Sequence, residues 1–255
     1  MIPIYLPPGV VEGPAYGTEE WTTARRGRVT ASRFSDVMTE PRLKASKEAG
    51  LLSDTARSYL MEILASTITG EDRVGGKSAA MERGVDKESD AIDAYAAAKF
   101  TEVAQGRLLL RTSDLVAATP DGFVEEDEEG PGLIEVKCPE SKRHLETWLA
   151  RAVPEDYVDQ VQGQMWVAGR AWCDFVSYDD RFPAPMRLVI IRVHRDDEHL
   201  QKMTAKVESF AQQASARLTQ IRAFLAEASP EEARTVVEAL QESPEPLTSR
   251  PEATE

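Results

Sequence analysis

The 255 residues are 42% hydrophobic, enough to bury one core with a few appendages, and the net charge of −14 gives no general affinity for a polyanion. Two cysteines, Cys138 and Cys173, are too few for a disulfide framework or a four-cysteine zinc or iron–sulfur site, and His144, His194 and His199 form no HExxH pattern. No run approaches the roughly 18 apolar residues of a membrane span, and the opening lacks a basic start followed by an apolar stretch, so the expectation is a soluble, cytoplasmic protein with no membrane partner.

In chain order, the Pro- and Gly-rich start reads as an extended arm over 1–20. EEWTTARRGRVTASRFSDVM predicts a helix, a break at Gly27 and a second helix, with Thr30-Ala31-Ser32 supplying its N-cap. Residues 40–50 read as a loop and 53–69 as a helix. GEDRVGGKS is a turn and not a phosphate-binding loop, because that pattern needs Gly at 71, where Glu71 stands, and a preceding strand. A long helix comes next, over 77–99. The pattern then switches to strand periodicity at 106–112, 115–119, 122–126 and 133–138. Helices are expected at 142–151 and 155–168, strands at 172–178 and 187–193, and an amphipathic helix at 197–227. Pro and Glu dominate from about 243, where little can be buried. The expected organisation is an arm (1–20), one domain (21–228) and an acidic, partly disordered tail (229–255). The element order indicates an α/β fold with a central mixed sheet flanked by helices.

The chemistry begins in LIEVKCP. Alternation along a strand puts Glu135 and Lys137 on one face and Ile134 and Val136 on the other. An isolated acid–lysine pair is an ordinary solvated feature. Its meaning changes with Pro120-Asp121-Gly122, because a hairpin joining 115–125 to 133–138 brings Asp121 beside Glu135. Two carboxylates converging next to an ammonium make an oxygen-donor site for a hard divalent cation such as Mg²⁺. Glu88 shares the apolar face of its helix with Met81, Val85, Ile92 and Tyr95, and a carboxylate there needs a partner lysine or a metal. The metal is favoured. In YVDQVQGQMWVAG, Tyr157, Gln160 and Gln164 share a face beside the apolar stripe, and Gln160 is placed to hold a water or a phosphate oxygen.

The negative total hides a local excess of positive charge: residues 21–44 carry six basic groups against two acidic ones, while 125–129 is EEDEE. Arg25, Arg28 and Ser32 lie in the basic segment, with Ser32 expected at a helix N-terminus, which suits an anchor for a DNA phosphate.

WTTARRGRVTAS, RGVDKESDAIDAY, TPDGF, LIEVKCP and YVDQVQGQMWVAG with WCDFVSYDDR, in this order over about 21–195, resemble the lambda-exonuclease and YqaJ-type viral recombinase branch of the PD-(D/E)xK nucleases. The resemblance implies a restriction-endonuclease-like core and a Mg²⁺-dependent 5′→3′ exonuclease on double-stranded DNA ends that leaves 3′ single-stranded tails. It implies that Asp121, Glu135, Glu88 and the Val136 carbonyl hold one or two Mg²⁺ ions, with Mn²⁺ as a substitute. Lys137 and Gln160 then manage the water, while Arg25 and Ser32, with Arg28 and Tyr157 nearby, meet the DNA and its 5′ phosphate. A homotrimer and a single-strand annealing protein are the implied partners, in a phage-infected or prophage-bearing bacterial cell. Two other readings stand beside it, an endonuclease or nickase on the same frame and a non-catalytic DNA-binding scaffold. The acidic loop between Asp121 and Glu135 departs from the family's short hairpin.

Overall fold

The structure is a computed structural model that describes residues 4–71 and 79–227, with the backbone alone at 79–82, 84 and 85. The chain forms two compact units, Met1–Ser215 and Ala216–Glu255. Residues 72–78 of the GEDRVGGKS turn and the whole of the expected acidic tail lie outside the described residues.

The arm contains a strand, β1 (Val10–Glu12), ahead of helix α1 (Glu19–Arg25). The Thr18 hydroxyl caps α1 by accepting from the Trp21 N–H at 3.0 Å. Gly27 then turns the chain at φ 75°, and a Cβ there would meet Thr67 at 2.4 Å, so glycine is required twice over. The continuous second helix expected after Gly27 does not form. Val29–Thr30 form β2, Ala31–Arg33 a 3-10 turn, and only Phe34–Met38 a helix, α2. Val29 is fully buried, and its strand pairs in parallel with a distant one, a non-local pairing that overrides helical propensity. Thr30 is the cap residue by backbone position, yet no side chain caps the turn.

A short helix, α3 (Lys44–Glu48), lies within the stretch expected to be loop. Helix α4 (Asp54–Thr69) is capped by Ser53 and closed by left-handed Gly70. Helix α5 (Ala79–Lys99) precedes the strands β3 (Ala104–Gln105), β4 (Leu109–Arg111), β5 (Val116–Ala118), β6 (Gly122–Val124) and β7 (Gly132–Lys137). Helices α6 (Ser141–Ala150) and α7 (Glu155–Ala168) form the crossover to β8 (Trp172–Tyr178). Strand β9 (Leu188–His194) and helix α8 (Asp197–Glu227) complete the described chain.

The strands make two mixed sheets where one was expected. One has the order β1-β4-β5-β2 and the other β3-β6-β7-β8-β9. The chain passes from the first to the second at Thr119-Pro120-Asp121, between β5 and β6, where Pro120 has no N–H to continue a ladder. β7 lies antiparallel to β6 and parallel to β8, which requires the long α6–α7 crossover. Ile134 and Val136 enter a core with Ala91, Tyr95, Val124, Trp172 and Val176, so the alternation read in LIEVKC holds. At the start of β7 a Cβ on Gly132 would come within 2.2 Å of the Trp172 indole, and that indole N–H donates to the Gly130 carbonyl at 3.0 Å.

Candidate active site

The passage between sheets places Asp121 beside β7. The Asp121 N–H donates to the Ile134 carbonyl at 3.2 Å, and its Oδ2 accepts from the Val136 N–H at 2.7 Å. Glu135 is 1% exposed, covered by α7. Its Oε1 accepts from Lys137 Nζ and Gln160 Nε2, and its Oε2 from Gln164 Nε2 at 2.6 Å. Gln164 also donates to the Thr119 carbonyl at 3.2 Å, tying the residue pair before Asp121 to Glu135.

Glu88 completes the acidic set from α5. Its helix face matches the expectation at Tyr95, which is fully buried, and at Ile92, which packs on the core. The side chains of Met81 and Val85 lie outside the described residues. Burial holds the Asp121 carboxyl well above the usual carboxylate range, reinforced by Glu135 and Glu88 and opposed by Lys137 and the Val136 N–H. Burial and the Glu135 charge also raise Glu88. Burial by itself would lower the Lys137 ammonium, but Glu135 and Asp121 hold it above its ordinary value, so it stays charged.

All these groups line a hollow of about 250 Å³ whose other end is formed by Arg25, Thr30 and Ser32. Arg25 Nη2 lies 3.4 Å from Thr30 Oγ1 and 3.5 Å from Ser32 Oγ, and its guanidinium sits 5.4 Å from the Trp21 ring centre. Ser32 belongs to the 3-10 turn and not to a helix N-terminus, so the expected helix dipole contributes nothing there and the anchor consists of side chains.

Two expected residues stand elsewhere. Arg28 spends its guanidinium on the carbonyls of Ala24 (3.0 Å) and Asp114 (3.5 Å) and does not line the hollow. Tyr157 presents its ring to Lys137, with the ammonium 5.0 Å from the ring centre, and is likewise absent from the lining. Conversely, Tyr16 lines the hollow from a segment read only as an arm. Gln164 was visible as a neighbour of Gln160, but nothing in the i, i+4 spacing marked it as the donor to the second oxygen of Glu135.

Among the described residues, no three of His, Cys, Asp and Glu form a finished metal cage. The ammonium and the two glutamines occupy the oxygens of Glu135. The donor chemistry nevertheless fits a hard divalent cation: three carboxylates in one hollow, two of them destabilised as anions, outnumber the single buried ammonium.

The YqaJ-like viral recombinase domain model matches residues 20–171, which include Arg25, Ser32, Glu88, Asp121, Glu135, Lys137 and Gln160. The chain belongs to this family. An alkaline exonuclease from Laribacter hongkongensis, LHK-Exo, superposes with a TM-score of 0.71 at 34% identity, covering 83% of this chain and 100% of that one. The same enzyme in complex with dAMP gives 0.70 at the same identity and coverage. A phage-related exonuclease from Haemophilus somnus 129PT shares the fold, with a TM-score of 0.58 at 20% identity over 76% of this chain and 96% of that one. No curated protein matches significantly.

Within the YqaJ-like frame, the acidic loop is less repulsive than its composition suggests. Glu125 pairs at 2.6 Å with Arg170, itself 3% exposed. Asp127 and Glu129 both pair with Arg192 at 2.9 Å, and Glu129 meets His194 Nε2 at 2.7 Å. Among the described residues, no helix is long and apolar enough to cross a membrane.

Proposed function

We propose that this chain is a Mg²⁺-dependent 5′→3′ exonuclease that enters at double-stranded DNA ends and leaves 3′ single-stranded tails for phage-type recombination. One observation carries the reading: an anion anchor of Arg25, Thr30 and Ser32 and an acidic centre of Glu88, Asp121 and Glu135 share a single hollow. A strand held at its terminal phosphate by the first therefore presents its next phosphodiester to the second. The L. hongkongensis relative was solved in complex with the mononucleotide dAMP, which supports a single nucleotide as the ligand class.

Glu88, Asp121 and Glu135, with the Val136 carbonyl, would hold one or two Mg²⁺ ions, or Mn²⁺ in their place, whose chemistry is Lewis-acid polarisation of the phosphate and acidification of a water. The protein's own groups do the rest. Lys137 stays protonated, so it orients the water and offsets charge on the phosphate oxygens instead of accepting a proton. Gln160 shares Glu135 Oε1 with Lys137, which fixes amide, carboxylate and ammonium as one unit around the attack position. Tyr157 steers Lys137 from behind. Arg28 braces the anchor segment through Ala24 and Asp114.

In this reading residues 21–228 form the nuclease domain, the arm completes its pocket, and the protein acts in the cytoplasm of the host cell. A homotrimer and an annealing partner follow from the family likeness, and sedimentation velocity tests the first.

The decisive experiment supplies Mg²⁺ with linear duplex labelled at the 5′ or the 3′ end and a closed circular control, with EDTA and Glu135→Ala as blanks. Early release of the 5′ label with intact circles is the expected result. Cut circles would favour an endonuclease, and no cleavage with Mg²⁺ or Mn²⁺ would favour a scaffold.

A further inference from the structure

A second hollow, of about 360 Å³, adjoins the first and shares Tyr16, Glu88, Thr119 and Asp121 with it. The acidic centre is thus a ridge between two hollows of different character. The first carries Arg25 and Lys137, whereas among the described residues no lysine, arginine or histidine lines the second. Its walls are apolar at Ile92, Val103 and Pro120, and Asp93 and Gln105 add hydrogen-bonding groups. Such a site repels phosphate and suits an uncharged flat group with donors on its edge.

Its wall is tied directly to the ridge. The Gly106 N–H donates to the Asp121 carbonyl at 3.1 Å, and a Cβ at Gly106 would lie 2.2 Å from the Pro120 carbonyl oxygen. Gln105 pairs with Gly122, the residue after Asp121. The second hollow therefore keeps a fixed distance from the acidic centre.

We infer that the second hollow receives the nucleobase of the second nucleotide of the 5′ strand, the one on the far side of the scissile phosphate from the anchor. The inference rests on the exonuclease reading above. The terminal nucleotide spans the first hollow, from Arg25 and Ser32 to Asp121, and the strand then crosses the ridge. The second base meets Tyr16, Ile92 and Val103 with its faces and Asp93 with its edge. A carboxylate at Asp93 accepts, so it favours a base whose major-groove edge carries an amino donor; adenine presents one there, and thymine only the O4 acceptor and a methyl group.

The test is single-turnover release of the first nucleotide from 5′-phosphorylated duplexes that carry either A·T or T·A at the second position. The two pairs have matched pairing strength. Wild-type protein is expected to release the terminal nucleotide about threefold to tenfold faster with dA than with dT in second place, the worth of about one hydrogen bond. Asp93→Ala, at an exposed position, should abolish that preference while preserving the preference for a 5′ phosphate over a 5′ hydroxyl. Ser89→Trp, also exposed and lining this hollow, should slow both duplexes at least tenfold by filling the space, with the 5′-phosphate preference again retained. Equal rates for dA and dT with brisk 5′ release, a preference that survives Asp93→Ala, or normal turnover by Ser89→Trp each overturn the inference. A wild-type protein that releases no 5′ label overturns the exonuclease reading, and this inference with it.

Discussion

Buried acids occur in two settings in this molecule. Around Arg192, Asp174 accepts from the guanidinium through both oxygens at 2.9 Å and from the Tyr95 hydroxyl at 2.8 Å, while Asp127 and Glu129 take its outer edge. Asp179 is fully buried, yet Arg181 and Ser141 outweigh its desolvation and hold its carboxyl down at about 2. In the hollow, by contrast, Glu88, Asp121 and Glu135 share one buried ammonium, and two of the three are pushed up. Where guanidinium N–H groups reach every acid, as those of Arg192 reach Asp174, Asp127 and Glu129, the cluster joins elements: β8 to β9 and the acidic loop, or α5 to the turn after β8 through Arg83. In the hollow the ammonium pairs directly with Glu135, and the raised Asp121 and Glu88 leave unbalanced negative charge that suits a cation.

The sharpest test of that contrast removes an acid from the hollow and then the shared cation from the other cluster. Asp121→Asn should lower the rate of 5′-label release by about 10³-fold, the rate equivalent of several kcal/mol of lost catalysis. The melting temperature in EDTA should hold or rise, because a repulsive charge has gone. A marked drop in stability would erase the distinction between the two settings. Arg192→Leu should do the opposite, costing about 3–5 kcal/mol in urea titrations because three carboxylates lose their cation, while the rate per folded molecule is kept. Lys137→Ala should cut single-turnover cleavage by about 10²-fold with little change in end binding by gel shift, and wild-type turnover would remove Lys137 from the mechanism.

The smallest effect is in pH. Asp121 and Glu88 are raised in the folded state, so their protonation favours folding, and metal-free protein should gain stability as pH falls through their raised values. Asp179 is depressed, so its contribution is present above the usual carboxylate pKa and is lost as pH falls toward about 2. Metal-free melts of wild type and Asp121→Asn across the mildly acidic range should therefore differ by on the order of 1 kcal/mol, with the wild type gaining more on acidification because the variant keeps only the raised Glu88. Added Mg²⁺ should move the acidic limb of the wild-type rate profile to lower pH, since cation and proton compete for the same oxygens.

Much of the site was legible because it rests on short periods. Alternation placed Glu135 and Lys137 together and buried Ile134 and Val136 opposite, helical spacing aimed Glu88 inward, and a hairpin brought Asp121 alongside. What escaped depends on partners far away in the chain. The helix expected after Gly27 yields to a strand because Val29 meets Val116, and no local signal carries that pairing. EEDEE reads as a repulsive run until Arg170, Arg192 and His194 arrive from other elements. Ser32 looked like a cap because its neighbours suit one, and Arg28 looked like an anchor because charge alone does not reveal that its guanidinium is committed to two carbonyls. Gln164 resembled any helical glutamine.

The parallel pairing of β2 with β5 has a further consequence. Thr30 ends β2, with Ser32 two residues on, and Asp121 stands three residues beyond the end of β5, so the hydroxyls of the anchor and one of the acids are carried by two adjacent, hydrogen-bonded strands. Backbone ladders do not stretch, and the separation between grip and blade is accordingly a fixed ruler. On the proposed function, the size of the released fragment is then a property of strand register: lengthening the chain between Ala118 and Asp121 would change the unit of digestion, whereas altering the metal would change only its pace.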